Sequence, residues 1–107
     1  MRTNTAEYLG VRSESARIEF EETWSEVAEK ALVAFANTYG GTLYLGMKNN
    51  AEPVGVEDFE RTARTVLAFA RHGVEPDMSR LVRVDPRTLP DGKEVVEIRV
   101  LPGDDRP

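Results

Sequence analysis

The chain has 107 residues, a formal net charge of −5, 40% apolar and 31% charged residues, and no cysteine. That length is one domain, and the lack of cysteine excludes a disulfide framework, a thiolate metal site and a cysteine nucleophile. No apolar run approaches the ~20 residues of a membrane span, and Met1–Glu7 lead into no apolar signal segment, so a cytoplasmic location is the expectation.

Residues 1–12 show no period and read as a partly ordered N-terminal segment, with the domain proper at 13–101. Arg17-Ile18-Glu19-Phe20-Glu21 alternates polar and apolar, the pattern of a short half-buried strand. Thr23-Trp24-Ser25-Glu26 fits a capping box in which the Thr23 hydroxyl and the Glu26 carboxylate each satisfy the other's amide. From there Trp24, Val27, Ala28, Ala31, Leu32 and Phe35 recur at helical spacing. The helix is expected to close at Asn37-Thr38-Tyr39-Gly40-Gly41, where Asn37, Gly40 and Gly41 tolerate the left-handed backbone of a helix end. That turn also has glycine amides that could face an anion, but a helix C-terminus repels anions, so a structural turn is the stronger reading.

Thr42–Met47 reads as a central strand, Lys48–Pro53 as a hairpin turn and Val54-Gly55-Val56 as a short return strand. A second helix is predicted from Asp58 to Gly73, with Phe59, Ala63, Val66, Leu67 and Ala70 on its apolar side. Leu81–Asp85 and Glu94–Val100 are two more strands, joined by Leu89-Pro90-Asp91-Gly92-Lys93 with its Asp-Gly hairpin chemistry. The expected fold is α+β: a single-domain two-layer sandwich in β-α-β-β-α-β-β order, with a mixed or antiparallel sheet and two helices. Residues 102–107 read as a loop or linker toward a downstream domain.

The run Ala34-Phe35-Ala36-Asn37-Thr38-Tyr39-Gly40-Gly41-Thr42-Leu43-Tyr44-Leu45-Gly46, with Glu14–Phe20 upstream and Gly46–Asn50, Pro53–Val56 and Val95–Pro107 on the other side, resembles the Schlafen-type AlbA domain. The resemblance covers about residues 10–107. It implies a DNA-binding module at the N-terminus of bacterial transcriptional regulators. Relatives in the Schlafen branch cleave RNA with three carboxylates and a divalent metal. Domains of this kind also work in pairs around a groove, which implies a homodimer.

Glu14 and Glu19 match two of the nuclease carboxylates, and such oxygen donors suit Mg²⁺ or Mn²⁺. The third falls on Asn49, a neutral ligand, and Glu21 stands where the family has a phosphate-pairing lysine. These departures argue against catalysis, and no cofactor is expected outside the nuclease alternative. The positive signal is arginine, which outnumbers lysine eleven to three. At about 100° per residue Arg61, Arg64 and Arg71 fall within about 80° of one another on the second helix, opposite its apolar side, and Arg80, Arg83 and Arg87 follow. They form a candidate phosphate-tracking stripe, to be weighed against a solvated helix face paired to Glu57, Glu60 and Asp77. His72, the single histidine, reads as structural, Tyr39 and Tyr44 as packing, and Ser13, Ser15 and Ser25 lie in no nucleophile elbow. Three functions stay open: a nucleic-acid-binding module, a metal-dependent RNase, and a dimerisation module without nucleic acid. No small-molecule substrate or membrane partner is expected.

Overall fold

The computed structural model describes residues 17–103. The elements in order are β1 (Ile18–Glu21), α1 (Glu26–Ala36), β2 (Gly41–Leu45), α2 (Phe59–His72), a single 3-10 turn (Ser79–Leu81), β3 (Val82–Thr88) and β4 (Glu94–Val100). The strands form one mixed sheet in the order β1-β2-β4-β3. β1 and β2 are parallel because α1 crosses over between them, with Ile18 beside Thr42 and Glu21 beside Leu45. β4 runs antiparallel to both β2 and β3.

Strand alternation decides what each face of the sheet carries. Leu43 and Leu45 of β2, Val82 of β3, and Val96, Ile98 and Val100 of β4 face the helices and pack against Ala28, Leu32 and Phe35 of α1 and Val66 and Ala70 of α2. Leu32, Leu43, Leu45 and Ile98 are fully buried, each contributing about 1.5–3 kcal/mol of transfer free energy. On the opposite face Tyr44, Met47, Leu89 and Val95 form a second cluster with Ile18 and Phe20. The expected two-layer α+β sandwich is therefore the observed fold. Its return strand at 54–56 is reduced to a single bridge between Met47 and Pro53, with the Val54 and Gly55 amides both donating to the Gly46 carbonyl and the Val56 amide to Glu94.

Two local expectations change. The Thr23–Glu26 capping box does not form: Ser25 occupies the cap position of α1 and its side chain caps nothing. Trp24 instead packs edge-to-face on Phe69 of α2, ring centroids 5.6 Å apart, and Glu26 pairs with Lys30 at 3.2 Å. Tertiary packing, worth more than a cap, sets how the chain enters the helix. At the other end Asn37 keeps right-handed helical dihedrals, and the left-handed residue is Gly40, φ +83. The Gly40 amide donates to the Phe35 carbonyl at 2.8 Å, so it closes the helix and faces no anion. Gly41 is required by space: a Cβ there would lie 2.5 Å from the Phe35 ring.

The β3–β4 hairpin follows its sequence signal. Gly92 has φ +89, its amide donates to the Leu89 carbonyl, and Asp91 accepts from the Lys93 amide at 2.9 Å. β3 runs to Thr88, beyond the expected Asp85. Pro86 is tolerated there because β3 is an edge strand.

Candidate nucleic-acid interface

α2 begins where its sequence says it should. The Asp58 carboxylate accepts from the Arg61 amide at 3.0 Å, a standard N-cap contact, and Gly73 follows the last turn with its amide on the Phe69 carbonyl. Val66 and Ala70 are buried and Phe59 and Phe69 pack against the core. Leu67, expected on that apolar side, is instead 39% exposed. It sits one residue past Val66, about 100° around the helix.

The outward face carries Arg61, Arg64, Thr65, Ala68, Arg71 and His72, all exposed. Among the described residues Arg61, Arg64 and Arg71 form no salt bridge, so the expected pairs to Glu57, Glu60 and Asp77 do not close. Asp77 does feel the stripe: the hydroxyl and amide of Ser79 hold its carboxyl below the usual carboxylate range, with a smaller contribution from Arg71 and His72. The stripe runs ten residue steps, about 15 Å of helix axis.

Arg80 and Arg83 do not extend it in one line. Arg80 lies exposed in the turn after α2. Val82 and Val84 point to the helix side, so Arg83 points to the opposite face of the sheet, level with Arg99. Its guanidinium donates to the Arg80 carbonyl at 3.0 Å and the Val82 carbonyl at 3.1 Å.

That opposite face holds a polar network the sequence reading missed. Glu97, only 9% exposed, accepts from the Tyr44 hydroxyl at 2.9 Å and from Arg87 at 2.8 Å. Arg99 bridges Glu97 at 3.7 Å and Asp85 at 3.1 Å. Burial, and then the hydrogen bond to Glu97, push the Tyr44 phenol well above its ordinary value, so it stays a donor. Tyr44 thus packs, as expected, and also satisfies a buried carboxylate. Glu97 within the apolar run Val95-Val96-Glu97-Ile98 was the available signal. Tyr39 is 71% exposed and lies under the Arg17 guanidinium, 4.9 Å from the ring centroid.

The nuclease positions gather only in part. Glu14 lies outside the described residues. Glu19 is exposed on β1 and Asn49 is exposed after β2. Glu21 and Asn49, the two departures from the nuclease pattern, line one open cleft at the carboxyl ends of the parallel pair, with Glu22, Thr23, Lys48 and Asn50. Among the described residues no group of three or more histidine, aspartate or glutamate side chains is placed to hold a metal ion. Of the three positions the nuclease pattern marks, the described residues hold one exposed carboxylate, Glu19, and one neutral amide, Asn49.

A two-layer sandwich with a parallel β-α-β opening and an antiparallel hairpin behind it defines a small α+β domain. The family profile described as Schlafen, AlbA_2 matches residues 14–107, and the chain belongs to that family. No curated protein matches it. No helix among the described residues is long and apolar enough to cross a membrane.

Proposed function

We propose that this domain binds nucleic acid, DNA in the first instance, through the exposed face of α2, as a module of a bacterial transcriptional regulator acting in the cytoplasm. The observation that supports this reading is the row Arg61, Arg64 and Arg71, exposed on one helix face and held by no carboxylate among the described residues. In a chain of net charge −5, three unneutralised guanidinium groups on one face form a local cationic surface suited to phosphate. The domain acts as a binder without cofactor. A homodimer is the expected working state, because one small domain offers a helix face and not an enclosing groove; light scattering that gives a monomer at high concentration would remove that part.

The test of binding is fluorescence anisotropy with labelled DNA and RNA at low salt. Wild type binds with modest affinity that falls steeply with salt, and the triple variant Arg61→Ala/Arg64→Ala/Arg71→Ala loses most of both affinity and salt dependence. No binding to any nucleic acid at low salt refutes the reading and favours the protein-interaction alternative.

A further inference from the structure

The side chains that share α2 with the arginines define what kind of nucleic acid the face can hold. Helix 59–72 contains no asparagine, glutamine, tyrosine or tryptophan. Its two phenylalanines pack into the core. Both of its threonine hydroxyls are spent on the helix itself, Thr62 donating to the Asp58 carbonyl at 3.0 Å and Thr65 to the Arg61 carbonyl at 3.0 Å. Between Arg64 and Arg71 the apolar side chains that reach the surface are the methyl of Ala68 and the partly exposed Leu67. Proteins that hold single strands stack successive bases on aromatic side chains, and this face offers one aromatic ring only, the imidazole of His72 at its C-terminal end, too few to receive successive bases. It does have three guanidinium groups over about 15 Å, with Arg64 and Arg71 about 10 Å apart along the axis. Carboxylates close the row at both ends: Glu57, Asp58 and Glu60 before it, Glu75 and Asp77 after it, all exposed. A backbone that ran on past either end would meet like charge.

We infer that this face grips the phosphate backbone of a double-stranded nucleic acid over a footprint of three phosphates, in preference to a single strand with splayed bases. The inference rests on the proposed binding function and adds the form of the ligand. In a duplex the bases are already stacked on one another, so a face made mainly of cations and aliphatic groups can hold it by its phosphates alone. A single strand would be ordered on this face with one imidazole at most to stack on while the guanidinium groups hold phosphate.

The experiment is a salt titration of anisotropy with duplex DNA, duplex RNA and each isolated strand. Either duplex binding more tightly than its own strands by about fivefold or more, the worth of one missing stacking contact, supports the inference, and the two duplex arms identify the sugar. Three neutralised phosphates give a slope of log affinity against log salt of about −2.7, so binding weakens about fortyfold from roughly 50 to 200 mM salt. Each single arginine-to-alanine variant makes the slope shallower by about 0.9. Ala68→Glu places a carboxylate within one helical turn of both Arg64 and Arg71 and abolishes binding, with thermal unfolding unchanged. Single strands bound as well as or better than duplex, weakened by the same variants, overturn the duplex inference and leave the binding function standing. A duplex affinity that falls with an arginine variant while the slope stays constant also overturns it, since that arginine then reads a base. Binding that ignores all these variants, or no binding at all, overturns both.

Discussion

Gly40 and Gly92 have nearly the same backbone, φ +83 and +89, in different surroundings, and this pair tests the turn after α1. In either position alanine pays for a Cβ in the left-handed region, about 1 kcal/mol. At Gly92 nothing lies within 4 Å of that Cβ, so Gly92→Ala stops there. At Gly40 the Cβ would lie 2.6 Å from the Val100 carbonyl oxygen and 3.1 Å from Pro102 Cδ. Neither neighbour is a flexible side chain that can swing away. Val100 pairs with Gly41 at the end of the β2–β4 ladder, so relief means opening the central strand pair. Gly40→Ala is therefore expected to cost about 2–4 kcal/mol in total. That corresponds to a fall in Tm of roughly 10–30 °C for a domain of this size. Denaturant unfolding gives the free energies directly, and an unchanged m value confirms that the same two states are compared. If Gly40→Ala and Gly92→Ala prove equally destabilising, the close approach of Gly40 to Val100 is not what requires glycine there.

Tyr44→Phe removes one of the donors to buried Glu97 while Arg87 remains at 2.8 Å; it should cost about 1–2 kcal/mol, and an unchanged denaturation midpoint would show that the bond contributes nothing. Asp77 and Asp91 have folded pKa values below the ordinary 3.8, Asp77 through Ser79 and Asp91 first through the Lys93 amide. A lowered folded value stabilises above the unfolded pKa and is lost as pH falls through the folded one. Asp77→Asn/Asp91→Asn should therefore unfold over a shallower acid limb, followed by fluorescence of Trp24, the single tryptophan; an identical acid limb refutes the assignment. Little cleavage of tRNA or single-stranded RNA is expected with Mg²⁺ or Mn²⁺, because two-oxygen charge stabilisation needs a firmly held cation. Metal-dependent cleavage abolished by Glu14→Ala/Glu19→Ala would reverse that expectation.

The parts of the fold that could be read from sequence are those fixed by local chemistry. The bounds of β4 are legible because Glu94–Val100 follows a turn whose Asp91-Gly92 pair has few alternatives. α2 was bounded by Asp58 and Gly73, a cap and a stop. Thr23 misled because the capping box is a local preference of about 1 kcal/mol, and Trp24 answers to Phe69, forty-five residues away in sequence. The parallel sense of β1 and β2 follows from the helix between them, but their register depends on contacts no short pattern specifies. The arginine row was legible from helical periodicity alone. Arg83 needs strand parity to be placed: with Val82 inward, the next residue must face away. Glu97 was passed over because a single acid in an apolar run reads as a solvent-facing interruption, and its cover comes from Tyr44 and Arg87 on the neighbouring strands.

Pro86 lies near the middle of β3, the outer strand on one side of the sheet. It offers no amide, so an incoming strand could not form an unbroken ladder along this border. The opposite border, β1, is four residues long with two glutamates among them. Neither border invites the sheet to grow into a second molecule. Along these two borders of the described residues a pairing of copies is steered toward joining faces rather than continuing strands, so the domain can be crowded at high local density without its sheets fusing edge to edge.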